Sequence, residues 1–245
     1  MGIFNWFSKK NTQESQQVVK DNFPEKDAWE GYYYSDYENK KINIPLNITY
    51  IDRENQISNR DITAKVFWRI NEEDEDFLYA ICHVRDAGRT FRISRISEMT
   101  VLDTGEIINK ENYLSFLEEE HMKSPEYVVS QILLKYQPEI QLMLFIAQSD
   151  GRFTAKEKEI LFKYLSSKEN KELTEDEIKE LTKKLKEVNA TQTKAKKYSK
   201  MIRESNDIDT QLVLNLLEEV IGLSKTVNPI TEASFKLVKD ILIKD

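Results

Sequence analysis

The chain has 245 residues, 40% apolar and 32% charged, enough to bury a core in one large domain or two modest ones. Its 36 Lys and Arg against 43 Asp and Glu leave a net charge of −7, which excludes a surface coated for indiscriminate nucleic-acid binding. One cysteine, Cys82, excludes an intrachain disulfide framework and fits a reducing, cytoplasmic compartment, and the two histidines, His83 and His121, are too few for a Cys/His zinc site.

Residues 1–40 read as an irregular lead-in. Ile3, Phe4, Trp6 and Phe7 stand ahead of Lys9 and Lys10, the wrong order for a signal peptide, and Trp6 occupies the place where a myristoylation pattern needs Ser or Thr. Two readings stand: a terminus that is frayed or docked on its own domain, or a small amphipathic foot making peripheral membrane contact through Ile3, Phe4, Trp6 and Phe7. Trp29, Tyr32, Tyr33, Tyr34 and Tyr37 follow. Interleaved Asp27, Glu30, Asp36 and Glu38 would repel phosphate, so these rings read as cover for a neighbouring core rather than as a base-stacking platform.

Residues 41–108 read as β. Leu46, Ile48 and Tyr50 alternate with polar neighbours, and 53–56 is a polar turn. Ile62, Ala64, Val66, Trp68 and Ile70 then alternate with Asp61, Thr63, Lys65 and Arg69, which predicts a half-buried strand with those five residues on its inner side. Phe77 to Val84 is apolar on both faces, as in a central strand. Asp86-Ala87-Gly88 and Asp103-Thr104-Gly105 mark turns around a strand over Arg89–Ile96. Short antiparallel strands at this density predict a small barrel or sandwich.

Residues 109–245 read as α, with 109–137 a helical connector and 138–245 a helical domain, so the whole chain is α+β. Apolar residues recur at three and four, as in Leu142, Phe145 and Ile146, or Phe235, Val238, Ile241 and Leu242. Ser124-Pro125 predicts a helix start, and Thr154 with Glu157 and Thr174 with Glu177 each fit a capping box. The basic run Lys194–Lys200 reads as a solvated helix face or as a contact for phosphate or an acidic partner. A faint repeat lays Ile146–Leu165 over Leu223–Leu242, each copy a helix, a tight turn and a Thr-capped helix, with Asp150-Gly151 matched by Asn228-Pro229.

The one charge cluster with the character of a site lies in the β region. Arg85, Arg89, Arg92 and Arg95 are opposed within their run by Asp86 alone. With Phe91 and Ile93 directed into the core, Arg89 and Arg95 share that side at the strand's ends, and Thr90, Arg92 and Ser94 form the polar side. A guanidinium fork suits phosphate because it gives two parallel charge-assisted hydrogen bonds. The bland alternative is a surface strand whose arginines pair with the acidic turn at Glu72–Asp76. No Gly-rich phosphate loop is present, and Cys82 and His83, adjacent on a strand, face opposite ways and form no dyad. Neither an enzyme nor a cofactor is expected.

The run Phe77-Leu78-Tyr79-Ala80-Ile81-Cys82-His83-Val84-Arg85, followed by Arg89-Thr90-Phe91-Arg92-Ile93-Ser94-Arg95-Ile96, resembles the WYL domain family. Tyr50 and Ser58-x-Arg60 also match, while Asp76-Phe77-Leu78 stands where that family has Trp-Tyr-Leu. The resemblance covers about residues 44–108. It implies an SH3-like (Sm-like) β-fold and a regulatory site for a nucleotide or nucleic acid, with Arg89, Phe91 and Arg95 at motif positions and Arg60 and His83 as neighbours. Arg92 joins them on its chemistry.

The run Phe145 to Glu159, with Asp150-Gly151, Thr154 and Glu157, resembles the start of a tellurite-resistance TerB-like domain covering about residues 138–243. That resemblance implies an all-helical bundle linked with stress and defence complexes. In the residues themselves, a turn at Asp150-Gly151 and a cap at Thr154 and Glu157 account for the motif without a metal. The expectation is a non-enzymatic sensor. Its β domain takes a nucleotide or single-stranded nucleic acid through Arg60, His83, Arg89, Phe91, Arg92 and Arg95. Its helical domain transmits that state or docks another protein, in bacterial stress or antiviral (phage) defence. The alternative is a protein-interaction scaffold at the membrane surface with no small ligand.

Overall fold

The computed structural model describes residues 39–70, 75–223 and 227–243. The lead-in, with its Ile3-Phe4-Trp6-Phe7 foot and its tyrosines, lies outside them, as do positions 71–74 of the acidic turn. Contacts divide the chain into two compact units between Ser124 and Pro125. That division runs through the stretch 109–137, so the expected connector contributes one helix to each unit.

The first unit is a six-stranded antiparallel sheet: β1 (Lys40–Ile51), β2 (Ile57–Ile70), β3 (Glu75–Cys82), β4 (Ala87–Arg92), β5 (Ile96–Val101) and β6 (Ile107–Ile108). The spatial order is β4-β3-β2-β1-β5-β6. Four strands meander, and β5 then returns to pair with β1, a Greek-key-like closure of the chain path. The sheet is nevertheless open, with β4 and β6 as its edges, not the closed barrel or sandwich that strand density suggested. A 3-10 turn at Ile93–Arg95 ends β4 after six residues, and β6 has only two, so neither edge carries a ladder long enough to close. Helix α1 (Tyr113–Met122) supplies the covering layer instead, burying Tyr113 and Leu117 in a core with Leu46, Ile48, Leu78 and Ile96. Lys40 pairs with Glu118, and the Nδ1–H of His121 donates to the Lys41 carbonyl at 2.8 Å, which fastens α1 to β1.

The alternation expected in β2 holds at Ile62 and Ala64 and then slips. The β2–β3 register shifts between Ala64 and Val66. Such a bulge puts two residues opposite one, and every later side chain changes face. Phe67 therefore joins the core, while Val66 and Trp68 leave it half-buried on the other face. Strand β3 is buried on both faces as its composition required.

The second unit holds α2 (Pro125–Lys135), α3 (Gln137–Ala147), α4 (Ala155–Glu169), α5 (Glu175–Leu185), α6 (Gln192–Glu204), α7 (Thr210–Gly222) and α8 (Pro229–Leu242). Helix α3 is apolar nearly all round, and so it is the central helix, with α2, α4, α6, α7 and α8 packed about it. Both expected capping boxes form. Thr154 and Thr174 each receive the amide of the residue three on, and Glu157 and Glu177 return to the amides of Thr154 and Thr174 at 2.6 and 2.7 Å. Gly151 takes φ +86°, the left-handed turn that the Asp-Gly pair signalled.

The repeat is real in its core and broken at its caps. Leu161 and Leu165 in α4, and Val238 and Leu242 in α8, are all buried. The second copy is not capped by its threonine, however. Asn228 caps α8 through the Ile230 amide at 2.9 Å with Pro229 in the first turn, which starts the helix three residues earlier than the repeat aligns it. Thr231 is thereby freed, and its hydroxyl lies 2.6 Å from that of Ser149 in the 3-10 turn after α3. The turns of the two copies thus meet each other.

Candidate functional site

The β3–β4 register sets Phe77 opposite Arg92, Leu78 opposite Phe91, Tyr79 opposite Thr90 and Ala80 opposite Arg89. Phe91 and Ile93 are buried, as the alternation required. Arg89 shares the side of Phe91, but it stands on an edge strand and is exposed. The alternation stops at Arg92. The chain leaves β4 through the turn Ile93–Arg95 to reach β1 from its far side, so the place of half-buried Arg95 comes from the turn and not from strand parity.

The six residues expected at the site do not share one surface. Arg60 lies on the core side of β2 at its open end, with its Nε–H donating to Ser58 Oγ at 3.0 Å. Phe91 is 3% exposed, and its ring is taken up by an edge-on contact with Tyr50 at 5.1 Å and 79°. His83 is exposed and directed to the opposite face, where its Nε2 lies 2.8 Å from Thr63 Oγ1. Arg92 faces that side too, and it has partners. Its Nη1 is 3.4 Å from Glu75 Oε2, and its guanidinium sits 5.5 Å from the centre of the Phe77 ring. Phe77 in turn stacks on Trp68 at 5.7 Å and 13°. Trp68, Phe77 and Arg92 form a single row across three strands, each opposite the next.

Glu75 of the acidic stretch therefore accounts for Arg92, as the structural alternative held. Among the described residues, Arg60, Arg85, Arg89 and Arg95 have no carboxylate within ion-pairing distance. The face that carries His83 also holds a polar belt that includes two carboxylates: the Asn47 amide donates to Asn59 and Asp61 at 2.7 and 2.6 Å, and Thr49 donates to Glu98 at 2.9 Å. These groups satisfy one another.

In the helical unit the motif carboxylates are similarly engaged. Asp150 accepts the Arg152 amide at 3.0 Å, and Glu157 belongs to its capping box. Among the described residues no three His, Cys, Asp or Glu side chains come together as metal ligands, and no helix is long and apolar enough to cross a membrane.

Sequence reasoning missed the row Trp68–Phe77–Arg92 and the Glu75 partner of Arg92. A two-residue period assigns Trp68 to the core, and no residue around Lys65 announces the bulge. The acidic stretch was visible, but which of its carboxylates reaches which arginine follows only from the β2–β3–β4 register. Comparison with protein-family models, curated proteins and solved structures gives no match.

Proposed function

We propose that this is a non-enzymatic regulatory protein whose β unit binds a nucleotide or single-stranded nucleic acid. In this reading the curled sheet with its returning β5 is an SH3-like, WYL-like module. The helical unit is a TerB-like module that transmits the bound state or docks another protein, in a stress or phage-defence setting. The observation that carries the reading is electrostatic. In a chain of net charge −7, Arg85, Arg89 and Arg95 around the edge strand β4, and Arg60 on β2, have no carboxylate partner among the described residues. Cations left without carboxylate partners are available to a phosphate, which would take charge-assisted hydrogen bonds from them. Arg92 can add to this set by exchanging Glu75, since a partly exposed pair of that kind holds by about 1 kcal/mol or less.

The test is binding of fluorescent oligonucleotides and cyclic nucleotides by wild type and by Arg89→Ala, Arg92→Ala and Arg95→Ala at two salt concentrations. The reading expects salt-sensitive binding that Arg89→Ala and Arg95→Ala weaken. Binding that ignores both the substitutions and the salt, or no binding by wild type, overturns it.

A further inference from the structure

Helix α6 of the helical unit has an exposed basic face. From Val188 to Arg203 the sequence holds Lys194, Lys196, Lys197, Lys200 and Arg203 and not one carboxylate, in a chain where acidic residues outnumber basic ones. The helix buries Ala195, Tyr198, Ser199 and Ile202, which turns Thr193, Lys196, Lys197 and Lys200 to solvent. Lys196 and Lys200 are one turn apart, about 6 Å along the axis, and Lys197 flanks them.

Several lysines elsewhere in this unit are paired, such as Lys135 with Glu169, Lys171 with Glu177 and Lys239 with Glu218, while others such as Lys156, Lys163 and Lys179 have no ion-pair partner among the described residues; α6 differs in that no carboxylate interrupts its basic run. On α6 only Arg203 has a carboxylate, that of Glu204 at 2.8 Å. Lys194 donates to the Asn189 carbonyl, and Lys197 lies over the Tyr198 ring. Among the described residues Lys196 and Lys200 have neither a hydrogen-bond nor an ion-pair partner.

We propose that this face of α6 is a second contact for a single-stranded polynucleotide, made to its phosphodiester backbone. Charge complementarity selects a polyanion, and the make-up of the face selects among polyanions. A protein partner needs apolar or aromatic anchors at the centre of its interface, where lysine is depleted. Here the centre is lysine, and Met201 at the edge is the one exposed apolar residue of the helix. Insertion into a lipid surface needs an apolar helix face, and that of α6 is already buried. A phosphate backbone asks only for positive charge. The choice of ligand rests on the proposed function, and it sharpens it: three neighbouring lysines on one helix face suit a run of phosphates rather than a single one.

The experiment measures anisotropy of a labelled thymidylate strand of about 30 residues with the full chain, between roughly 50 and 200 mM salt. Lys196→Gln/Lys197→Gln/Lys200→Gln is compared with Arg89→Ala/Arg95→Ala, and circular dichroism confirms that both variants fold. The triple lysine variant is expected to weaken binding about tenfold or more at low salt and to flatten the log–log salt slope by about two, three contacts at about 0.7 each for a single strand. An unchanged affinity and slope for this variant overturns the inference, and if the arginine variant still loses binding the proposed function survives alone. Loss on the lysine variant with none on the arginine variant keeps the α6 contact and removes the β-unit site. Equal competition by polyglutamate at matched charge assigns the face to an acidic protein and also overturns the inference.

Discussion

The edge of one ring meets the face of another where Tyr50 of β1 touches Phe91 of β4, with centroids 5.1 Å apart and planes at 79°. These strands are separated by β2 and β3 in the sheet, so the contact exists only because the sheet curls. It also brings the Tyr50 hydroxyl within 3.5 Å of the Arg92 amide, a long and weak contact beside the arginines. Phe91→Ala is expected to cost the β unit about 3–5 kcal/mol as a large-to-small core change. A double-mutant cycle with Tyr50→Leu should return a coupling of about 1 kcal/mol. Urea unfolding followed by tryptophan fluorescence measures both. Additive effects would show that the curl does not depend on this pair.

Gly88 sits under Tyr79. A Cβ there would run into the Tyr79 hydroxyl and come within 2.8 Å of Cζ and 2.9 Å of Cε2. Tyr79 is buried, so its ring has little room to give. Gly88→Ala is expected to destabilise by about 1–3 kcal/mol, as overpacking does, and Tyr79→Leu in the same chain should recover part of the loss. Thermal melts of the two single variants and the double variant decide it, and a neutral Gly88→Ala contradicts the placement of the ring.

Two buried glutamates in the helical unit should respond to pH with opposite signs. Glu139 in α3 is 1% exposed, and one of its carboxylate oxygens has no partner. Burial holds its carboxyl above the usual carboxylate range, against the pull of the backbone and of Lys168. A carboxyl whose folded pKa is raised contributes its full stability below the unfolded pKa and loses it as pH rises through the folded pKa. Glu139→Gln is therefore expected to melt higher than wild type near about pH 8, with the gain gone near about pH 4.

At Glu177 burial opposes the charge, yet Lys171 at 2.8 Å and the Thr174 amide at 2.7 Å outweigh it and hold the carboxyl below the usual range. A depressed folded pKa contributes stability above the unfolded pKa and loses it as pH falls through the folded one. Glu177→Gln is expected to lower the melting temperature at about pH 7 and to converge with wild type in acid. Melting curves across pH check both glutamates, and parallel curves would contradict the assignment.

Thr154→Ala and Thr174→Ala each remove the side-chain acceptor of a capping box and should cost about 1 kcal/mol. Thr231, which the repeat aligns with Thr154, caps nothing. Ser149 also donates to the Ile146 carbonyl at 2.6 Å, so Ser149→Ala should cost at least as much as Thr231→Ala, and the double variant should cost little more than Ser149→Ala alone, because the two share one hydroxyl pair. Denaturant midpoints of the five variants test this; additivity of Ser149→Ala and Thr231→Ala would remove the link between the turns.

The residues that speak locally were legible in the sequence. A threonine three places before a glutamate caps its helix whatever the rest of the chain does, and Asp150-Gly151 turns because glycine alone takes φ +86° without strain. Alternation placed Leu46, Ile48, Phe91 and Ile93 in the core for the same reason, since strand geometry sends neighbouring side chains to opposite faces. The arginine-rich strand was likewise plain from composition. What tertiary structure decided were the long-range choices. The bulge after Ala64 moved Trp68 to the outer face, because register is settled between strands and not within one. Arg92 found Glu75, while Arg89 and Arg95 found no carboxylate among the described residues, because the register and a 3-10 turn set which charges come near each other. An open sheet replaced a barrel because its two edge strands are too short to meet, and α1 was there to cover the apolar face. Local sequence decides how each segment is shaped, and the partners of a side chain depend on residues far away in the chain.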